Sequence, residues 1–163
     1  MNKKILIFGG TGAIGFSIAK NLKDQGYNPI IIARNKEDLI SKSNEINCSY
    51  EICDVLEIDQ IKEIALKHSE NVVGLAYCVG SINLRPLKIT KDQDFIESFK
   101  VNTLGAINAV KMNLQSLTNN NGSILFFSTI AVQQGFTNHS IVSSSKGAIE
   151  GLTLSLAAEF APK

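Results

Sequence analysis

No run of like charges occurs in this sequence: 16 Lys and Arg against 15 Asp and Glu leave a net charge of +1. That removes both the electrostatic footprint of a nucleic-acid binder and the polybasic patch of a membrane-surface protein. Partners therefore have to be argued from sites. No apolar stretch is long enough to span a bilayer. Asn2-Lys3-Lys4 before an apolar run imitates a secretion signal, but Gly9 interrupts the run too early for a signal core. Cysteine is scarce and odd in number. Cys48, Cys53 and Cys78 lack the paired spacing of a metal site, which predicts reduced thiols in a cytoplasmic protein and no metal. Repeats, linkers and low-complexity tracts are missing as well. With 44% hydrophobic residues, the 163-residue length suits one folded domain over 1–163.

What is present starts at Ile5-Leu6-Ile7-Phe8, four apolar residues at strand length that run into Gly9-Gly10-Thr11-Gly12-Ala13-Ile14-Gly15. Behind them Ile14, Ile18 and Leu22 recur at helical spacing. A strand, a glycine-rich turn and a helix are the apparatus of phosphate binding. Small residues let the backbone approach a pyrophosphate, and the helix start aims free N–H groups and its dipole at the charge. Gly9, Gly12 and Gly15 are the candidates, the alternative being an ordinary tight turn. No Lys-Ser/Thr pair follows the last glycine, which excludes a nucleoside-triphosphate loop and favours a dinucleotide.

Pro29-Ile30-Ile31-Ile32-Ala33 reads as a second buried strand, with proline at its first position, where no inner ladder donor is lost. It ends at Arg34-Asn35. In a dinucleotide fold an acidic residue at this point binds the ribose 2′-hydroxyl, whereas an arginine accommodates a 2′-phosphate. Arg34 therefore favours NADP(H) over NAD(H), the alternative being a solvated surface arginine. Glu37 and Asp38 follow in what reads as the first turn of a helix, where acidic residues suit the dipole. Ser49–Cys53 is a third strand, with Asp54 at its carboxyl end as either a cofactor contact or the N-cap of a helix through Ile58, Ile61, Ile64 and Ala65. Val72–Val79 is a fourth strand. Strands alternating with helices predict parallel pairing and burial on both faces.

The longest helical pattern spans Asp92 to Leu117, with Phe95, Phe99, Ala106, Ala109 and Val110 on one stripe. Asn102 shares that stripe, and a buried amide there is either core-satisfying or part of a site. Ser123–Ser128 is the fifth strand, introduced by Asn119-Asn120-Asn121-Gly122. A last helix runs from Ser140 to Phe160, with Ile149, Leu152, Leu156 and Phe160 on its buried stripe. Traced backwards, the stripe reaches Lys146 and Val142. A lysine on a buried stripe is either put to use or a snorkelling stem.

These residues together resemble the short-chain dehydrogenase/reductase family. The resemblance is carried by GGTGAIG after the first strand, ARN after the second, CDV after the third, CVG after the fourth, VN in the long helix, and the tail from GSILFFST to SSSKGAIEGLTLSLAAEFAP. It implies an α/β, Rossmann-like doubly wound parallel sheet of order 3-2-1-4-5. It also implies an oxidoreductase that moves a hydride between NADP(H) and a small carbonyl or alcohol. Gly9, Ala13 and Gly15 fall on the family's small pyrophosphate-turn positions, with Thr11, Gly12 and Ile14 between them, and Phe8 stands where the family usually has threonine. Arg34 falls on the arginine of NADP-preferring members, Asp54 with Val55 on the segment near the adenine, and Gly80 on the glycine after the fourth strand. Asn102 falls on the active-site asparagine that supports a water relay, and Lys146 on the lysine that holds the nicotinamide ribose.

Two departures accompany the resemblance. The family's acid/base tyrosine stands four residues before the lysine, and here that position is Val142, which has no proton to give. The serine that assists it is Thr129, which can still hydrogen-bond a carbonyl. His139 is the nearest candidate replacement, three residues before Val142 and on the same face if the helix extends that far back, the favoured alternative being a loop histidine with no catalytic role. CVG also replaces the usual asparagine-alanine-glycine. Five strands are present where the family has more, so the resemblance implies missing C-terminal strands. A partner segment would complete the sheet, or a homo-oligomer would form through the two long helices. Val142 keeps a second function in view, a non-catalytic dinucleotide-binding module or an inactive truncated remnant.

Overall fold

The five expected strands and the helices between them all form. In the computed structural model, which describes residues 3–161, β1 (Lys4–Phe8), β2 (Asn28–Ala33), β3 (Ser49–Ile52), β4 (Val72–Tyr77) and β5 (Ser123–Phe126) make one sheet in the order β3-β2-β1-β4-β5. Asn2 of the basic N-terminal triplet, and Pro162 and Lys163 at the other end, lie outside the described residues. The order is that of a Rossmann-like fold. Pairing is parallel, with Ile7 opposite Ile31 on one side and Ala76 on the other, and Ile31 opposite Tyr50. Strand, helix and strand alternate, so each crossover carries its helix onto one sheet face or the other.

The chain divides into two compact units, one holding the chain up to Cys78 with Asn108–Leu125, the other Val79–Ile107 with the chain from Phe126 on. In the first unit, alternate residues of the central strands point to opposite faces. Ile5, Ile7, Ile31 and Ala76 pack with Ala19 of α1 (Ala13–Asp24) and Leu39 of α2 (Lys36–Ile46). Leu6, Phe8, Ile30, Ile32, Leu75 and Tyr77 fill the other face, all at most 3% exposed, with Phe8 and Tyr77 in ring contact at 6.1 Å. Glu51 ties α3 (Ile58–Lys67) to that second face. Its Oε1 accepts from Lys67 Nζ at 2.7 Å and lies 2.8 Å from His68 Nε2. Burial opposes ionisation of Glu51, but the hydrogen bonds and charges of Lys67 and His68 outweigh it and hold the carboxyl below its ordinary value.

Three expectations about burial are corrected by edges and covers. The third strand is an edge strand with half-exposed residues, and Ile52 is 48% exposed, because only β2 pairs with it. Ile14 and Ile58, placed on buried stripes by periodicity, are exposed, while Gly15 and Ala19, and Ile61, Ile64 and Ala65, carry the buried faces of α1 and α3. β5 is the outermost strand at the other end. Beside it a cavity of about 600 Å³ opens among Ile5, Ile18, Leu22, Val73, Ile124 and Leu125.

In the second unit the long helical pattern is not one helix. α4 (Asp92–Phe99) passes into a π-turn over Lys100–Leu104 before α5 (Gly105–Asn119) resumes, and Phe99 is exposed. An inserted residue of this kind rotates the next turn of the helix relative to the last, a feature common at functional sites. α6 (Ala131–Gln134) is a single short turn, and α7 spans Ser140–Phe160 as expected. Ile141, Val142, Ser145, Lys146 and Ile149 are its buried residues. Leu152, Leu156 and Phe160 are only half-buried.

Candidate functional site

The glycine turn of the first unit is built where only glycine fits. Gly9 has φ +78°, and its N–H and that of Gly10 both donate to the Ile32 carbonyl, at 2.8 and 3.2 Å. A Cβ on Gly10 would stand 2.6 Å from Cβ of Ile31, and one on Gly15 only 2.4 Å from the Gly9 carbonyl oxygen. Helix α1 therefore starts pressed against the strand end, with Gly12 as its N-cap, no capping side chain, and no acidic residue in its first turn. Gly12, Ala13 and Ile14 are exposed there, and Thr11 is half-buried. Uncapped N–H groups at an uncompensated helix start favour an anion. A cradle that any side chain would fill fits the pyrophosphate of a dinucleotide.

Arg34 follows β2 with its side chain 76% exposed, and its Nη1 lies 3.7 Å from Oδ2 of Asp54. The next residue, Asn35, caps α2 by accepting from the N–H groups of Glu37 and Asp38, at 2.9 and 3.2 Å. Those two acids thus sit in the first turn, as their spacing predicts. Asp54 is not a helix cap, since Glu57 holds that position of α3. Instead its Oδ1 accepts from Leu56 N at 3.0 Å, and its own N–H donates to Gln60 Oε1 at 2.8 Å. Val55 is buried beside it. Burial and the neighbouring Asp54 charge push the Cys53 thiol up to about 11, so it remains protonated at neutral pH. None of Cys48, Cys53 and Cys78 is joined in a disulfide.

In the second unit the π-turn presents Asn102, wholly buried, to the segment after β4. Its Oδ1 accepts from the Ser81 N–H at 3.0 Å and its Nδ2 donates to the Ser81 carbonyl at 3.1 Å, so one amide satisfies both polar groups of one residue's backbone. Nδ2 also reaches Ser98 Oγ at 3.0 Å. Ser98 Oγ in turn meets Ser145 Oγ at 3.0 Å, and Thr103 Oγ1 donates to the Ser145 carbonyl at 2.8 Å. Ser81, Ser98 and Ser145 do not stand out in the sequence. Only Ser98 leaves a signal there, four residues before Asn102 on the same helical face.

Lys146 is 9% exposed and its Nζ donates to the Phe127 carbonyl at 2.8 Å. The residues that Asn102 and Lys146 share are found through Gly80, where a Cβ would lie 3.0 Å from Asn102 Oδ1 and 3.6 Å from Lys146 Nζ. Gly80, Asn102 and Lys146 thus converge. Thr129 Oγ1 accepts from the Ala131 N–H at 3.3 Å, in the turn that opens α6. Val142, 3% exposed, is buried one helical turn before Lys146. His139 stands just outside α7 as its N-cap residue. Its half-buried imidazole places Nδ1 2.8 Å from the Thr137 carbonyl and packs edge-on against Phe136 at 5.4 Å between ring centres. Among the described residues no cluster of His, Cys, Asp and Glu could hold a metal ion, and no helix is long and apolar enough to cross a membrane.

Comparison with known proteins adds family, relatives and fold. The family model described as short chain dehydrogenase matches residues 3–163. Carbonyl reductase family member 4 of Xenopus laevis is 29% identical over all of this chain and 71% of its own length. The 3-oxoacyl-[acyl-carrier-protein] reductase of Homo sapiens is also 29% identical over the same shares. A solved short chain dehydrogenase from Salmonella enterica subsp. enterica serovar Typhi superposes with a TM-score of 0.94 at 23% identity, over 100% of this chain and 72% of that one.

Proposed function

The chain belongs to the short chain dehydrogenase family of oxidoreductases, which use a nicotinamide cofactor, and from that premise we propose that it is an NADP(H)-dependent reductase of a small carbonyl compound. The observation that carries the reading is the convergence of a buried, hydrogen-bonded Lys146 with Asn102 at Gly80. A buried ammonium ion is costly unless it serves an interaction partner.

In this reading the glycine turn holds the pyrophosphate and Arg34 holds the 2′-phosphate through charge-assisted hydrogen bonds. When bound, the cofactor supplies the hydride. Lys146 binds the nicotinamide ribose, with its stem positioned by the hydrogen bond from Nζ to the Phe127 carbonyl. Asn102 acts through position, by clamping the Ser81 backbone and with it Gly80. Thr129 donates its hydroxyl to the substrate carbonyl, which its present role as acceptor from Ala131 leaves free to do. The proton that the product alcohol needs comes from the imidazolium form of His139, which gives up its Nε2–H while Nδ1–H stays on the Thr137 carbonyl. The names of the relatives direct attention to ketones and to 3-oxoacyl thioesters as substrates. Assembly into a homo-oligomer through the long helices, or with a segment that pairs with the outer edge of β5, belongs to the same proposal.

Titration of both cofactors against intrinsic NADPH and NADH fluorescence tests the reading, with the wild type and Arg34→Glu side by side. The wild type is expected to bind NADPH more tightly than NADH, and Arg34→Glu to reverse that order. Failure of both cofactors to bind would remove the glycine-turn assignment, and equal preference in both proteins would remove that of Arg34.

A further inference from the structure

Arg34 and Asp54 form an unequal pair. The carboxylate is fixed: Oδ1 accepts from Leu56 N at 3.0 Å and the Asp54 N–H is held by Gln60 Oε1 at 2.8 Å, which leaves Oδ2 turned toward the guanidinium. The guanidinium is not fixed. It is 76% exposed against 33% for Asp54, and at 3.7 Å the contact is electrostatic rather than a formed hydrogen bond. Whatever breaks the pair therefore moves Arg34 and leaves Asp54 in place.

We infer that Asp54 is a specificity-determining residue that holds down the preference for NADP(H) by competing with the 2′-phosphate for Arg34. The inference rests on the assignment of Arg34 proposed above. Two effects act in the same direction. In the free protein the pair occupies part of the Arg34 population, and a ligand that needs the guanidinium free binds more weakly by the fraction that is free. In the complex the Asp54 carboxylate stays near a phosphate of like charge, and like charges at short range repel. Neither effect reaches NAD(H), whose 2′-hydroxyl is neutral. Arg34 without Asp54 would make the site modestly more selective for NADP(H).

The size of the effect is set by the exposure of the pair. Ion pairs between exposed side chains shift equilibria only modestly, so removal of the Asp54 charge is expected to change the ratio of NADPH to NADH affinity by about two- to fivefold. Asp54→Asn is the suitable variant, because an asparagine Oδ1 still accepts from Leu56 N and only the charge is lost. Asp54→Ser serves if Asp54→Asn does not melt cooperatively. The ratio is the readout because any contact of residue 54 with the adenine is shared by the two cofactors and cancels.

The experiment is a fluorescence titration of NADPH and NADH against wild type, Asp54→Asn, Arg34→Gln and the double variant. Asp54→Asn is expected to raise the NADPH:NADH affinity ratio about two- to fivefold, and to raise it less when Arg34→Gln is also present. A ratio unchanged or lowered by Asp54→Asn, with Arg34→Gln lowering it, overturns the role of Asp54 alone. If Arg34→Gln leaves the ratio unchanged, the assignment of Arg34 falls and this inference falls with it.

Discussion

Replacing Gly15 by alanine probes the glycine turn, the proposed pyrophosphate site, at its tightest contact. The new Cβ would sit 2.4 Å from the Gly9 carbonyl oxygen and 3.0 Å from both Gly9 C and Gly10 Cα, all backbone atoms that cannot swing aside as a side chain would. Relief to ordinary contact needs a displacement of about 1 Å, since non-bonded carbon and oxygen settle near 3.5 Å. The Gly9 carbonyl is itself held by the Gly12 N–H at 3.1 Å, and the Gly9 N–H by Ile32 at 2.8 Å. The displacement therefore pulls on two hydrogen bonds and on the start of α1. Overpacking of this kind costs about 1–3 kcal/mol. Gly12→Ala is the control. Its Cβ would meet the same oxygen at 3.4 Å, and its φ of −73° suits any residue. The expected loss there is within about 1 kcal/mol, mainly the poorer N-cap. Urea unfolding and NADPH titration of both variants read the difference. Gly15→Ala should unfold at clearly lower urea and bind NADPH at least about tenfold more weakly, because the phosphate donors move with the turn. An unfolding midpoint equal to that of Gly12→Ala, with cofactor affinity intact, would refute the argument that only glycine fits.

The second unit and the α3 tie carry further expected outcomes. His139→Ala should lower turnover while leaving cofactor affinity unchanged, the pattern of an interaction made only in the transition state, and steady-state kinetics alongside titration checks it. Val142→Tyr should raise turnover by restoring a phenol one turn before Lys146. If His139→Ala has no effect while Val142→Tyr raises activity strongly, His139 is a bystander. Glu51→Gln should cost about 1–2 kcal/mol at pH 7, measured by urea unfolding, through the lost ionic hydrogen bonds to Lys67 and His68. Because the folded carboxyl lies below its ordinary value of 4.5, the stabilisation is complete above that pH and disappears as pH falls through the folded value. The gap between variant and wild type should therefore narrow in acid. Asn102→Ala should destabilise the protein by about 1–3 kcal/mol, since it leaves the buried groups of Ser81 and Ser98 without their partner.

Much of this is legible in the sequence for a physical reason. Apolar runs at strand length mark β1, β2 and β4 to within a few residues, because a strand buried on both faces needs no alternation, whereas β3 and β5 are half-exposed strands at the two edges of the sheet. Ser140–Phe160 is bounded correctly because an uninterrupted helical stripe has visible ends. Periodicity says which residues share a face, not what covers it, and so it places Ile14, Ile58 and Phe99 inside although no neighbour covers them fully. The π-turn at Asn102 leaves no trace, since one extra residue per turn has no composition of its own. The partners of Asn102 and Lys146 are also out of reach. Ser81 lies 21 residues from Asn102, Phe127 19 from Lys146, and Ser145 47 from Ser98, and only the folded topology brings them together.

The most direct test of the central claim is consumption of NADPH, followed at its nicotinamide absorbance, with a panel of ketones and a 3-oxoacyl thioester. The wild type is compared with Lys146→Met, and NADPH carrying deuterium at both C4 positions is used to trace the hydride. Deuterium appearing on the carbinol carbon of the product, in proportion to NADPH consumed and lost in Lys146→Met, is the predicted result. NADPH that binds tightly yet passes no deuterium to any member of the panel, in the wild type and in Val142→Tyr alike, would contradict it.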